Sequence, residues 1–197
     1  MKSTSKNAIA AAALSVLTPL GCAVSDQKPA ASSPQAEAGA AASATAAPLP
    51  AGMTGVPGIR QPKPGLYTAG QPAADQWRGI AETGVTTVIN LRPDAELEGR
   101  DVRAEVDAAG MRYIQLPVAG AQDITAANAD ALAQALKEAD GPVLVHCASG
   151  NRVGALLALG AARSGTPVEE AIAFGKSAGL GGAEAVVRQR LDETAGD

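Results

Sequence analysis

Short apolar runs alternate with segments of helical spacing from Leu66 to the end of the chain. Residues 85–91 are dense in β-branched side chains and favour a central strand. Further strands are predicted over residues 66–69, 111–118 and 142–145. Helices are predicted over residues 73–83, 99–109, 125–139 and 183–193, and two more helices begin at residues 153 and 166. Strands that alternate with helices predict an α/β fold, with a central mainly parallel sheet flanked by helices.

Local signals mark several helix ends. Gly84 follows the first predicted helix, as a glycine just beyond a helix often does. The stretch Thr166-Pro167-Val168-Glu169 predicts a helix start with a capping box and a proline at the first helical position. In the helix over residues 125–139, three aliphatic residues are expected to face the core: Ala131, Leu132 and Leu136.

The first 22 residues resemble an export signal, with Lys2 and Lys6 ahead of a short apolar stretch. Cys22 follows small or apolar residues, as in a bacterial lipoprotein box, which predicts lipidation of Cys22 and a periplasmic protein held at a membrane by that anchor. Ordinary cleavage after Ala23 is the alternative. Residues 23–60 are rich in Ala, Pro and Ser and predict a disordered tether, and residues 61–197 predict the catalytic domain.

Composition excludes several function classes. The formal net charge of -4 argues against nucleic acid as a partner, because phosphate backbones need a basic face. A single histidine excludes a multi-histidine metal site, and the sequence suggests no cofactor. The two cysteines, with only one in the predicted domain, rule out a disulfide framework.

The most informative stretch runs from His146 to Arg152, between an apolar strand and a buried helix. Backbone N–H groups converge at such a helix start and bind anions. The helix dipole and Arg152 would favour the thiolate of Cys147, which is the nucleophilic form. The loop residues expected to bind the substrate anion are Ala148, Ser149, Gly150 and Asn151.

Only four residues separate Cys147 from Arg152. Phosphatases with a cysteine nucleophile carry five at this place, so this loop offers one N–H group fewer. The spacing resembles the Cys-x-x-Gly-x-Arg loop of rhodanese-type sulfurtransferases, which hold a persulfide. The shorter ring therefore favours a single sulfur atom over a phosphoryl group.

Four stretches in a fixed order point to a family: LYTAGQP at 66–72, TVINLR at 87–92, YIQLPV at 113–118 and VHCASGNR at 145–152. Together they resemble the phosphatase-like domain of beta-lactamase-hydrolase-like proteins, a branch of the dual-specificity phosphatase superfamily, over about residues 65–178. The resemblance implies a cysteine-phosphatase fold, with Cys147 as nucleophile and Arg152 as anion clamp. Members of this branch share the short loop, and the family is also associated with sulfur metabolism.

Two positions depart from the superfamily pattern. Phosphatases of this kind usually place Ser or Thr directly after the loop arginine, where this chain has Val153. They also use a general acid, and Asp123 is the only aspartate in the corresponding loop. Asp123 is equally consistent with a polar residue that precedes a helix and complements its dipole.

Each site residue has a structural alternative. Cys147 could be a buried core thiol, and Arg152 could pair with Glu96, Glu98 or Glu105, which does not exclude anion binding. Arg92 could enter the same crevice, or pair with Asp94 or Glu98.

His146 precedes Cys147 on a strand, so its side chain should point to the opposite face, which favours an orienting role over proton transfer. Ser149 could contact substrate or water.

Three functions remain open. The primary one is an exported cysteine-dependent hydrolase of phosphate monoesters, which takes a small anionic or phosphorylated substrate. The second is a sulfurtransferase that forms a persulfide on Cys147. The third is an anion-binding module without turnover.

Overall fold

The computed structural model of the protein describes residues 48–195. Five strands form one sheet: β1 (Arg60–Lys63), β2 (Leu66–Ala69), β3 (Thr87–Asn90), β4 (Arg112–Gln115) and β5 (Val143–His146). Six helices surround it: α1 (Trp77–Glu82), α2 (Val102–Ala108), α3 (Ala126–Lys137), α4 (Asn151–Arg163), α5 (Val168–Ser177) and α6 (Glu184–Ala195). Short 3-10 turns span Ala51–Met53, Ala74–Gln76, Asp94–Glu96 and Ala121–Asp123.

The strand order is β1-β2-β5-β3-β4, and every pair is parallel except the edge pair β1–β2. The predicted α/β class with a mainly parallel sheet is confirmed. Strand β5 lies at the centre, where all four of its residues are buried. The residue that follows β5 is Cys147, so the candidate loop leaves the middle of the sheet at its carboxyl edge.

Apolar side chains pack on both faces of the sheet. One core cluster is formed with α3, α4, α5 and α6 and includes Ile89, Val145 and Cys147. The second cluster, formed with α1 and α2, includes Trp77 and Leu144. Alternation along the strands assigns neighbouring residues to opposite clusters, so the two ends of the candidate loop are anchored in a double-sided core.

Three local predictions were wrong. The capping box at the start of α5 does not form: Pro167 is extended at φ -52 and ψ 141 and occupies the N-cap position, and no side chain caps the helix. In α3, Ala131 is exposed, and Ala129 and Leu132 are the buried residues. Helix α4 begins at Asn151 rather than at 153, because the Gly150 carbonyl already accepts from the Gly154 amide.

The predicted end of the tether was also wrong, because the packed fold begins before residue 61. Residues 51–53 form a 3-10 turn, and Met53 is fully buried in the second cluster. The turn contacts α1 so closely that a Cβ on Gly52 would lie 2.1 Å from the Gly79 carbonyl oxygen. Cys22 and the predicted export signal lie outside the described residues. No helix within residues 48–195 is long and apolar enough to cross a membrane.

Candidate active site

The loop from Cys147 to Gly150 is fixed at both of its flanks. The Cys147 amide donates to the Ala69 carbonyl of β2 at 3.3 Å, and the His146 carbonyl accepts from the Leu91 amide at 2.8 Å. The Ala148 carbonyl accepts from the Gln71 amide at 3.3 Å. Strands β2 and β3 therefore hold the loop from either side of β5.

Two glycines allow this geometry. Gly150 is the N-cap of α4 with φ +90, a left-handed conformation that strains other residues. A Cβ on Gly70 would lie 2.9 Å from the Ala148 carbonyl oxygen, so the LYTAGQP stretch needs a glycine to approach the loop. Gly150 therefore makes the turn, and Gly70 lets the end of β2 approach the loop.

Backbone donors collect around the thiol. The Gly150 amide donates to Cys147 Sγ at 3.1 Å. Among contacts with the described residues, the amides of Ala148, Ser149, Asn151 and Arg152 make no hydrogen bond. These amides lie in the loop and at the start of α4, where unpaired N–H groups form an anion site.

Cys147 is fully buried and contributes to the first core cluster. Its side chain is as buried as that of a structural cysteine. Its sulfur also accepts the hydrogen bond from the Gly150 amide that an anion-binding loop would provide. Reaction at Sγ requires a local movement that admits a substrate, because the side chain has no solvent contact in this conformation.

Arg152 makes a bidentate ion pair with Glu96: Nη1 donates to Oε1 at 2.8 Å and Nη2 to Oε2 at 2.6 Å. Nη1 also donates to the Val118 carbonyl. The hydrogen bonds to Glu96 raise the pKa of Arg152, burial opposes that shift, and the neighbouring Cys147 adds to it. The pair with Glu96 is one of the alternatives that the sequence left open.

These contacts leave one edge of the guanidinium unused. Of its five N–H donors, two on Nη1 and one on Nη2 are engaged. Neither these bonds nor the long contact of Nη1 with the Ala119 carbonyl, at 3.5 Å, engages Nε or the second Nη2 hydrogen. Together they form a planar two-donor fork. A hydrogen bond between the side chains of Arg152 and Cys147 contributes to the raised pKa of Arg152, so the thiol lies beside this guanidinium.

Glu96 joins two arginines. Arg92 Nε lies 3.4 Å from Glu96 Oε2, and Arg92 Nη1 donates to Gln71 Oε1 at 3.0 Å. The predicted pairing of Arg92 with Asp94 or Glu98 was wrong: the 3-10 turn before Leu97 brings Glu96 back over Arg92. The hydrogen bonds from Arg152, and then the charge of both arginines, hold the pKa of Glu96 below its ordinary value, although burial raises it.

His146 lies on the face of the sheet opposite to Cys147. Its ring packs against Trp77, with centroids 5.6 Å apart. Neither ring nitrogen has a hydrogen-bond partner of normal geometry among the described residues. Burial lowers the pKa of His146 to about 3, and a weak contact with the Cys147 backbone only partly opposes that shift. A neutral, buried imidazole is suited to packing rather than to proton transfer.

The other candidate residues are divided between the site and its supports. Asp123 Oδ2 accepts from the Ala119 amide at 2.7 Å, so this carboxylate closes its own loop. Asn151 Oδ1 accepts from the amides of Gly181 and Ala183 at 2.8 and 3.2 Å, so this side chain ties the start of α4 to the segment before α6. The side chain of Ser149 is exposed, and Val153 is fully buried in the core.

Sequence comparison relates the chain to one domain family. The family described as "Beta-lactamase hydrolase-like protein, phosphatase-like domain" matches residues 58–164. The beta-lactamase hydrolase-like protein of Agrobacterium fabrum is 38% identical over 123 residues, which cover 58% of this chain and 28% of that protein. The chain therefore spans a minor part of the curated relative.

Two solved structures share the fold. A protein of Neisseria meningitidis, provisionally described as a phosphatase, is 30% identical with a TM-score of 0.60; the match covers 69% of this chain and 97% of that one. TpbA of Pseudomonas aeruginosa is 25% identical with a TM-score of 0.55, over 71% of this chain and 91% of that one. The structural matches therefore cover a larger share of this chain than the match to the curated relative does.

Proposed function

Because the chain belongs to the phosphatase-like domain family of beta-lactamase hydrolase-like proteins, we propose that it hydrolyses phosphate monoesters with Cys147 as nucleophile. The fold is that of phosphatase-superfamily proteins. The family match includes the whole stretch from His146 to Arg152.

The free edge of Arg152 is the observation that carries the proposal. Glu96 and the Val118 carbonyl fix the guanidinium plane, and the Nε/Nη2 edge remains for two oxygens of an anion. The unpaired amides of Ala148 and Ser149 supply further donors. After the local movement that admits a substrate, a tetrahedral oxyanion bound by the Arg152 fork and the loop amides would have its central atom within reach of Cys147 Sγ.

The reaction would proceed in two displacements. Cys147 Sγ attacks phosphorus, an S–P bond forms, and the ester P–O bond breaks. The departing oxygen takes up a proton from an acid or from water. A water oxygen then attacks phosphorus, which releases inorganic phosphate and restores the thiolate. Arg152 and the loop amides would stabilise the charge on the phosphoryl oxygens in both steps.

Sulfur transfer is the second candidate, and Val153 favours it. A hydroxyl after the loop arginine would assist the departure of the cysteine, but Val153 is fully buried and carries none. Asp123, engaged with the Ala119 amide, is better placed for holding its loop than for supplying a proton. A persulfide on Cys147 needs neither group, and the Gly150 amide is already bonded to Sγ.

Two assays on the full chain separate these chemistries: hydrolysis of a phosphate monoester, and sulfur transfer from thiosulfate to cyanide. The proposal predicts phosphate release that Cys147→Ser abolishes and Cys22→Ser, the matched control, retains. Sulfur transfer without phosphate release would overturn the proposal in favour of the second candidate. Loss of neither activity in Cys147→Ser would remove the cysteine from both.

The proposal extends to location. The predicted export signal in residues 1–22 and the Ala/Pro/Ser-rich segment that follows support action in the periplasm, where a lipid on Cys22 would be the anchor. Membrane fractionation of the wild type and Cys22→Ala tests this: the variant should move to the soluble periplasmic fraction. Recovery of both proteins in the cytoplasm would contradict export.

A further inference from the structure

A cleft of about 340 Å³ is lined in part by Arg152. Ala119, Ala121 and Ile124 line it from the segment between β4 and α3, and Ala183 and Val186 line it from the start of α6. Ile124 and Ala183 belong to the first core cluster, and Val186 packs against that cluster. The cleft therefore extends from Arg152 along apolar side chains.

Arg152 is the only charged residue among those that line the cleft. The other polar groups are neutral, among them the unpaired backbone amides of Asn151 and Arg152. Asn151 also reaches the cleft, but its carboxamide oxygen is occupied by the amides of Gly181 and Ala183. A ligand with a second anionic group would find no second cation among these lining residues.

No aromatic residue of the chain borders the cleft. The chain has only four: Tyr67, Trp77, Tyr113 and Phe174. The first three belong to the second cluster, on the other face of the sheet. Phe174 lines a separate groove between α3 and α4. Stacking on an aryl substrate, which adds to the gain from burial, is therefore unavailable here.

We infer that this cleft binds the leaving group of the substrate, and that this group is a compact, uncharged aliphatic chain. The natural substrate class is then an alkyl phosphate with a single phosphate, rather than an aryl phosphate or a polyanion. The inference rests on the proposed phosphatase function, because it assigns the phosphate of that substrate to the Arg152 fork.

Phosphonates test this without hydrolysis, because the C–P bond removes any effect of leaving-group reactivity. Isothermal titration of the full chain would compare inorganic phosphate with methyl-, propyl-, hexyl- and phenylphosphonate. Each methylene that enters the cleft should lower Kd about two- to fourfold. Hexylphosphonate should bind more tightly than phenylphosphonate, which has the same number of carbons. A propylene bisphosphonate should bind no more tightly than propylphosphonate.

A polar substitution in the cleft checks the location. Val186→Asn should weaken hexylphosphonate by about threefold or more and leave methylphosphonate unchanged. The matched control is Val168→Asn, because Val168 is 44% exposed at the start of α5 and does not line the cleft. Unchanged methylphosphonate binding also shows that the variant is folded.

The outcomes separate the inference from the function on which it rests. Equal binding along the alkyl series, or tighter binding of phenylphosphonate or of the bisphosphonate, would overturn the assignment of the cleft while the phosphate site stands. An equal effect of Val186→Asn and Val168→Asn would do the same. Failure of inorganic phosphate and methylphosphonate to bind at all would contradict the proposed function, and the inference with it.

Discussion

The substitution Glu96→Gln isolates the role of the carboxylate that orients Arg152. Glutamine keeps the shape of the side chain but replaces one acceptor by an N–H donor that faces the guanidinium. Of the two short bonds, at 2.8 and 2.6 Å, only one has an acceptor left. The pair is partly exposed, with 13% and 29% of the Arg152 and Glu96 side chains accessible, so solvent screens part of the interaction.

The expected losses follow from that geometry. A hydrogen bond to a charged group contributes about 1.5–3 kcal/mol when buried, and screening reduces this to about 1–2 kcal/mol in the free energy of unfolding. The Nε/Nη2 edge would no longer be held toward the loop, and misplacement of about 1 Å costs up to about 100-fold in rate. We therefore expect kcat/KM for a phosphate monoester to fall about 10- to 100-fold.

The matched control is Glu105→Gln. Glu105 also accepts from an arginine through both carboxylate oxygens, and from Trp77 Nε1 at 2.8 Å, but it serves the packing of α2. It should lose similar stability in urea unfolding and keep its kcat/KM. Equal activity losses in the two variants would refute an orienting role for Glu96, as would full activity of Glu96→Gln.

Acidification gives a further test of the Glu96 pair. The pKa of Glu96 is lowered in the folded protein, so the ion pair stabilises the fold at a pH above the ordinary glutamate pKa. This contribution is lost as the pH falls through the lowered pKa. The stability gap between wild type and Glu96→Gln should narrow below about pH 4. His146 lowers stability at a higher pH than Glu96 does. Its pKa is about 3 in the folded protein, so the unfolded chain binds a proton first and the free energy of unfolding falls below about pH 6.5. His146→Phe should flatten that slope and leave the pH profile of kcat unchanged. Gly154→Ala should unfold the protein or lower its Tm sharply, because the new Cβ would lie 2.1 Å from the Leu180 amide nitrogen. Asp123→Asn, which keeps an acceptor for the Ala119 amide, should retain kcat within about threefold, whereas loss of a general acid would cost about 100-fold or more.

The local part of the site was predictable because its residues are adjacent in the chain. A strand, a glycine and a helix start occur within a few residues of Cys147, and this order alone fixes a loop at the carboxyl edge of a parallel sheet. The side to which His146 points followed from strand alternation. The α/β class followed from the same alternation of strands and helices.

The long-range part was not predictable from local patterns. Periodicity does not indicate which of several glutamates meets Arg152, and Glu96 is far from it in the sequence. The pairing depends on the 3-10 turn at Asp94–Glu96, which has no strong sequence signal. The same reason explains Met53: a single buried methionine in an Ala/Pro-rich stretch carries no periodicity, so the folded region seemed to begin later.

Chemical trapping of the intermediate tests the central claim most directly. A rapid acid quench during turnover of a phosphate monoester, followed by peptide mass spectrometry, would detect a phosphoryl group on the intermediate. The account predicts that this group is on Cys147 and that it is absent from Cys147→Ser. Hydrolysis with no modified Cys147, or with a phosphoryl group on another residue, would contradict it.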